Sequence, residues 1–421
     1  MILRRFAIWW IFSVAILFTF SIHATPVNIP IFIPSGATAE ISRLYLNLIQ
    51  RFQVNHPDII VDFNPTTNYN KLLKKVMRRH QKNKINGVIV AEISELFTLK
   101  DSGIVIPLEK FIYRENKKDK PFLQLFHPEF LENSRDQNGR VYGLPFYRST
   151  PIIYYNLDIL SAAGIGKSDL PKTWTELKRM LVRLKEKTGI TPLGFGGTWY
   201  DWIFEAFVHQ NGGKLSELQN TKVLFDHPAS IEALEFWQEL NQLKLIQRVH
   251  DWKATLNSFV QREQFPVIYY SVGGLETVRK KAKFSWAVRL MPINKMNSTP
   301  LGGANVFIAS GMTKIEENAA WKLIRFLLQP DVQIEISYAS GYFPVLKKTL
   351  NDPILLRRNQ LFQPFSIAYR QLFYGRSKIM TKNFMHIREI LKEAIDSALD
   401  HNIPAAQSLH LAQLKSQKWL D

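Results

Sequence analysis

Two rhythms of apolar and polar residues alternate along this chain: short continuous apolar runs, and longer stretches with a 3.6-residue repeat. Val27 to Ile33 is an apolar run of strand length, and Ile33-Pro-Ser-Gly36 ends it in a turn. From about Thr38 to Asn55, Ile41, Leu44, Tyr45, Leu48, Ile49 and Phe52 fall on one helical stripe, and Pro57 stops the helix. A strand at 59–63, a basic helix at 69–80, a strand at 86–90 and a helix from Ser94 to Gly103 follow. Strands alternating with helices in this way predict an α/β fold built on largely parallel sheets.

The segment Tyr142 to Ile165 breaks the rhythm. It reads as a strand, a Ser149-Thr-Pro151 turn, a second strand and a helix from Leu157. Pro145 and Pro151 each lack a backbone donor, so neither suits a central ladder position. The segment reads as a crossing between two lobes. Beyond it, Thr173 and Glu176 form a capping box for a helix to Lys187, which Gly189 ends. Gly194 to Gly197 reads as a glycine-rich loop before a helix that starts at Trp199 to Trp202, and Pro228 opens another helix with an amphipathic stretch at 231–243. Phe265 to Ser271 is a buried strand running into Gly273-Gly274. Strand 286–292, the tight Leu301-Gly-Gly-Ala304 approach, an apolar run at 305–309 and a helix at 316–328 bring the chain back. The last third is helical, and 347–363 reads as loop-rich.

Composition adds three constraints. The 421 residues contain no cysteine, which excludes disulfides, thiolate metal sites and thiol catalysis. Two arginines, an apolar run from Phe6 to Phe20 and a small-residue end at Ala24 form a secretory leader, with cleavage expected after Ala24 and export to a periplasm. The apolar run is shorter than the roughly 20 residues a membrane-spanning helix needs. The formal charge is +18, and the positives are scattered over helix faces without a basic-aromatic cluster, so nucleic acid is not an expected partner. Long-range attraction of anions is a use consistent with that charge.

Signals for catalysis are thin. There is no nucleophile elbow, Walker loop or zinc-protease helix, and the Gly194 to Gly197 run has Trp199 where a dinucleotide fingerprint needs its third glycine. No cofactor or metal is expected. Binding signals are richer. Trp199, Tyr200 and Trp202 follow a glycine stretch at a helix start, where an indole face suits polyol C–H groups or a choline cation; a core position is the other reading, above all for Trp202. Arg388 offers forked donors for a phosphate, or pairs on a helix surface with Glu389 or Glu393. Glu92 and Ser271 lie at strand ends, as ligand contacts or as helix caps. Gly303 suits a close backbone approach or a plain turn.

These motifs together resemble the bacterial extracellular solute-binding proteins of ABC importers, in particular the branch that binds glycerol-3-phosphate and glycerophosphodiesters. The resemblance rests on the lobe-crossing segment at 142–165, Ala339-Ser-Gly-Tyr-Phe-Pro-Val345, the Gly302-Gly303 pair, the Asn68-Tyr69 helix start and the Ile387-Arg388 pair. It implies a two-lobed periplasmic-binding-protein fold of type II, each lobe a sheet flanked by helices, with the ligand cleft at the hinge. One lobe would comprise 25–145 with 290–330, the other 146–289 with 331–421. The resemblance assigns Tyr69, Trp199, Gly303, Tyr342 and Arg388 to the ligand, and the strand-end and hinge positions of Glu92, Ser149 and Ser271 add these three as candidates. It implies a binding protein rather than an enzyme, monomeric, delivering glycerol-3-phosphate or a glycerophosphodiester to a permease and ATPase. A neutral-oligosaccharide binder of the same fold and an exported hydrolase on another α/β scaffold are the competing readings. Arg148 stands where the family has a small polar residue, which would strengthen phosphate binding or select a bulkier anion.

Overall fold

A computed structural model describes residues 25–34, 39–116, 121–217, 222–249, 251–261 and 264–420. The expected leader and part of the turn after Ile33 lie outside these residues. Among the described residues twelve strands appear in chain order: β1 (Val27–Pro34), β2 (Ile59–Thr66), β3 (Val88–Glu92), β4 (Gly143–Ser149), β5 (Pro151–Asn156), β6 (Leu193–Gly196), β7 (Ile246–Val249), β8 (Val267–Ser271), β9 (Trp286–Arg289), β10 (Thr299–Pro300), β11 (Gly302–Ile308) and β12 (Gly375–Arg376).

They build two five-stranded sheets, ordered β2-β1-β3-β11-β4 and β7-β6-β8-β5-β9, with β10 and β12 forming a separate parallel pair. In the first sheet β1 runs parallel to β2 and β3, while β11 is antiparallel to both β3 and β4. In the second, β6 is parallel to β7 and β8, and β5 is antiparallel to β8 and β9. Helices cover both sheets, giving the α/β architecture that the alternating pattern predicts, but both sheets are mixed rather than parallel, because β11 and β5 return antiparallel to the strands beside them. Among the described residues no helix is long and apolar enough to cross a membrane.

The apolar stripe of helix Ala39–Asn55 explains its seat. Tyr45, Leu48, Ile49 and Phe52 are buried in the same core as Ile29, Ile31 and Ile33 of β1. Over the second sheet, helix Trp174–Thr188 carries the full capping box: Glu176 N–H donates to Thr173 Oγ1 at 3.2 Å, and Thr173 N–H to Glu176 Oε2 at 3.2 Å. Gly189 ends it with φ of 72°, the left-handed cap that glycine adopts without a Cβ penalty.

The crossing is sharper than the sequence pattern suggests. β4 ends at Ser149 in the first sheet, β5 begins at Pro151 in the second, and Thr150 alone lies between them. No turn forms there. Both prolines occupy positions their chemistry permits: Pro145 is on an edge strand beside a register shift, and Pro151 is the first residue of β5, paired with β8 alone. A lobe boundary at 145/146 would cut through β4, whose hydrogen bonds to β11 tie all of it to the first sheet. The boundary at 330/331 also falls early. Helix Pro330–Ser340 packs on helix Ala39–Asn55, and Phe343 exchanges backbone bonds with Arg148, so the chain stays with the first sheet to at least Leu346. Helix Gln363–Leu372 packs on β9, and the last two helices cover the second sheet.

Two further expectations are corrected. Leu193–Gly196 is a strand, not a loop; Gly194 leaves room for the Phe265 ring, which lies 2.4 Å from where a Gly194 Cβ would be. The stretch read as loop-rich folds as helices Lys347–Leu350 and Pro353–Leu361, the second capped by Asp352 with Pro353 in its first turn.

Candidate functional site

The carboxyl ends of β3, β4, β6 and β8 and the start of β11 converge between the two sheets, the place where ligands bind in open α/β folds. A cavity there encloses about 390 Å³ of space free of protein atoms, part of it open to solvent. Seven of the eight residues singled out from the sequence line it: Tyr69, Glu92, Ser149, Trp199, Ser271, Gly303 and Tyr342. Trp202, Trp252, Gly302 and Lys378 complete the wall. Arg388 does not line it.

The first sheet contributes an aromatic shelf. Tyr69 opens helix Tyr69–Gln81, which Asn68 caps by accepting from Lys71 N–H at 2.9 Å. The Tyr69 and Tyr147 hydroxyls hydrogen-bond at 2.9 Å, and Tyr147 stacks on Tyr342 at 4.5 Å between ring centroids and 9° between planes. Burial pushes all three hydroxyls above the usual tyrosine range, so they stay protonated as donors. From the other sheet Trp199 meets Tyr69 edge to face at 6.4 Å, so the two lobes touch through aromatic rings.

Glycines set the floor. Gly303 has φ of +110°, and a Cβ there would lie 2.3 Å from the Tyr147 carbonyl oxygen. A Cβ on Gly302 would meet the Trp202 ring at 2.7 Å and Ser149 Oγ at 2.8 Å. Both positions need the missing side chain.

For Glu92 and Ser271 the cap and the cavity wall are the same group. Glu92 Oε2 accepts from Ser94 N–H at 2.9 Å, and Ser271 Oγ accepts from Gly273 N–H at 3.1 Å, while both side chains face the cavity. Trp202 likewise serves twice. It packs in the second sheet's core, yet its indole Nε1 is buried without a protein acceptor, and part of the ring lines the cavity. Trp252 stacks on Tyr270 at 4.1 Å.

The two cations flagged in the sequence are placed differently from expectation. Arg388 donates from Nε to Asp201 Oδ2 at 2.7 Å and from Nη2 to Asp201 Oδ1 at 2.8 Å, with a further bond from Nη2 to the Thr198 carbonyl. Its guanidinium carbon lies 4.2 Å from the Trp199 ring centroid. The expected surface partners, Glu389 and Glu393, are not the ones it takes. Arg148 is fully buried and points away from the cleft, since it alternates with Tyr147 and Ser149 along β4. It donates to the carbonyls of Tyr147, Ala304 and Phe130 and to Asn305 Oδ1 at 2.6–3.1 Å. Burial pushes its guanidinium down to about 9. It clamps the hinge and does not reach the cavity.

Lys378 is the cation that does. Its ammonium donates to Glu92 Oε1 at 3.1 Å and lies 4.6 Å from the Trp199 ring centroid. Its backbone is fixed from both lobes. Asn133 accepts from Lys378 N–H at 3.2 Å and donates to its carbonyl at 3.0 Å; Ser94 Oγ donates to the Ile379 carbonyl at 2.8 Å, and Glu205 Oε1 accepts from Ile379 N–H at 2.6 Å. No spacing rule points to Lys378, one of several basic residues in 376–382. Gly302, Trp252 and Trp202 were within reach of motif reading, beside Gly303, at an Asp-capped helix start and at helical spacing from Trp199.

Among the described residues no group of three or more His, Asp or Glu side chains could hold a metal ion. The site offers aromatic faces, hydroxyls and one ion pair, a set suited to gripping a small polar molecule.

Comparison with known proteins agrees with this architecture. A family model for bacterial extracellular solute-binding proteins matches residues 47–361. The sn-glycerol-3-phosphate-binding periplasmic protein UgpB of Escherichia coli (strain CFT073) is 26% identical over 300 residues, 66% of this chain and 67% of that protein. The UgpB of Yersinia enterocolitica is 28% identical over 226 residues, half of each chain. Among solved structures, UgpB from Mycobacterium tuberculosis in complex with glycerophosphocholine superposes with a TM-score of 0.81 at 20% identity, covering 94% of this chain and 99% of that one. The acarbose receptor GacH of Streptomyces glaucescens superposes with a TM-score of 0.79 at 18% identity, covering 94% and 98%.

Proposed function

The chain belongs to the bacterial extracellular solute-binding proteins and serves as the substrate-binding subunit of an ABC importer, and we propose that its cargo is a glycerophosphodiester or glycerol-3-phosphate, captured in the periplasm by closure of the two lobes. The observation that carries this reading is the single cavity onto which Tyr69, Glu92, Ser149, Gly303 and Tyr342 converge from the first lobe and Trp199 and Ser271 from the second. Hydroxyls of Ser149, Ser271 and Tyr342 are suited to glycerol and phosphate oxygens. Glu92 can accept from glycerol hydroxyls, and the tryptophan faces suit C–H groups or a quaternary ammonium. The relatives named for sn-glycerol-3-phosphate support the same class.

A neutral sugar is the second reading. It draws on the Glu92–Lys378 pair, which leaves the wall without an uncommitted charge, and on the sugar-analogue receptor among the structural neighbours. No bond-making chemistry is proposed. The cargo would be handed to the permease and its ATPase by a monomeric protein.

Thermal-shift measurement on the purified protein separates these readings. Stabilisation by glycerophosphocholine or glycerol-3-phosphate, without stabilisation by maltose, is the expected result. Stabilisation by maltose alone would reject the glycerophosphate reading.

A further inference from the structure

The fold withholds from the cavity the arginine that the sequence offers for phosphate. Two of the three guanidinium nitrogens of Arg388 are spent on Asp201 and on the Thr198 carbonyl, and the side chain stacks on Trp199 without lining the wall. Lys378 lines the wall instead, and its side chain is 1% exposed.

An ammonium carries three donors. One N–H of Lys378 goes to Glu92, and among the described residues the protein supplies no acceptor for the other two. Glu92 has its own commitments, to Lys378 through Oε1 and to Ser94 N–H through Oε2. With the lobes together, backbone bonds from Lys378 to Asn133 and from the adjacent Ile379 to Ser94 and Glu205 hold the lysine in place. Such a group can meet an anion without reorganising.

We infer that Lys378 holds the anionic group of the cargo, and that its pairing with Glu92 selects a singly charged phosphodiester over a doubly charged phosphate monoester. This rests on the glycerophosphate reading above. A dialkyl phosphate carries one negative charge at neutral pH. A monoester loses its second proton near pH 6 and carries close to two. The Lys378–Glu92 pair is neutral in sum, and Glu92 stands 3.1 Å from the ammonium that would bind the anion. The first negative charge meets the free donors of Lys378. A second one faces the Glu92 carboxylate, whose side chain is 4% exposed, so water screens their repulsion weakly.

Calorimetric titration of wild type, Lys378→Met, Lys378→Arg and Glu92→Gln with glycerophosphocholine and glycerol-3-phosphate tests this, with the melting temperature of each ligand-free variant as the folding control. Wild type should favour the diester by about tenfold or more, and Lys378→Met should lose about tenfold to a hundredfold in diester affinity, the worth of a charge-assisted hydrogen bond. Lys378→Arg should recover part of that loss. Glu92→Gln, which keeps the ammonium and removes its competitor, should narrow the preference between the two ligands. Diester affinity within about twofold of wild type in folded Lys378→Met would overturn the inference while leaving the glycerophosphate cargo standing. Should Lys378→Met fail to fold, an unchanged preference in Glu92→Gln overturns it. A wild type that binds neither phosphate compound but binds maltose overturns the cargo and the inference together.

Discussion

Arg388 grips Asp201 with two parallel hydrogen bonds, Nε to Oδ2 at 2.7 Å and Nη2 to Oδ1 at 2.8 Å, directly against the Trp199 ring. The fork-on-fork geometry is the one guanidinium and carboxylate make best, and it joins helix Phe384–Asp400 to helix Tyr200–Gln210. Both partners are nearly inaccessible to water. Removing either one strands a buried charge.

Arg388→Met should therefore register first as a loss of stability, about 3–5 kcal/mol in urea unfolding. Cargo affinity should change less and by way of Trp199, which loses its support. If affinity collapses while stability is unchanged, Arg388 contacts the cargo directly.

Arg148→Met should also destabilise, by about 3 kcal/mol or more, because the carbonyls of Phe130 and Ala304 and the Asn305 side chain lose their donor at once. Urea denaturation of the ligand-free protein checks this. A variant as stable as wild type would show that the hinge does not depend on the clamp.

The glycine pair separates strain from obstruction. Gly303→Ala forces a Cβ onto φ of +110° and into the Tyr147 carbonyl, so stability should fall by about 1–3 kcal/mol. Gly302→Ala presses instead on Trp202 and Ser149 at the cavity floor, so cargo affinity should fall more than stability. Thermal shift with and without cargo distinguishes the two outcomes.

Burial pushes the Glu205 carboxyl up to about 8 and that of Glu95 up to about 7 from an ordinary 4.5; Lys378 opposes the shift at both, and Glu92 adds to it at both. Between pH 4.5 and those values the folded chain holds protons that the unfolded chain has released, so both groups make stability fall as pH rises. His209, 3.8 Å from Glu205, is pushed by burial down to about 4, which makes stability rise with pH up to its ordinary 6.5 and then stop contributing. The fall should therefore be clearest from about pH 6.5 to 8, on the order of a few kcal/mol at most. Glu205→Gln should flatten it. An unchanged pH profile in that variant would show that Glu205 is ionised throughout.

Much of the site was legible because its residues sit where local signals point. Tyr69 follows an Asx cap, Glu92 and Ser271 end buried strands, Gly303 accompanies a second glycine, and Tyr342 follows a left-handed helix cap at Gly341. Motif resemblance then tied Tyr69, Gly303 and Tyr342 together. β6 was misread because its glycines signal a loop when the partner that fills the space at Gly194, Phe265, lies far along the chain.

The sequence by itself determined the alternation of strands and helices, the caps and breaks that bound them, and the family, since each depends on spacing within a few residues. Only the tertiary structure decided where the charges went. Arg388 finds Asp201 across 187 residues and Lys378 finds Glu92 across 286, and no local pattern ranks those partners above Glu389 or Glu393. A buried cation takes the carboxylate that the packing of distant elements brings within hydrogen-bond reach, because desolvation makes every other outcome costly.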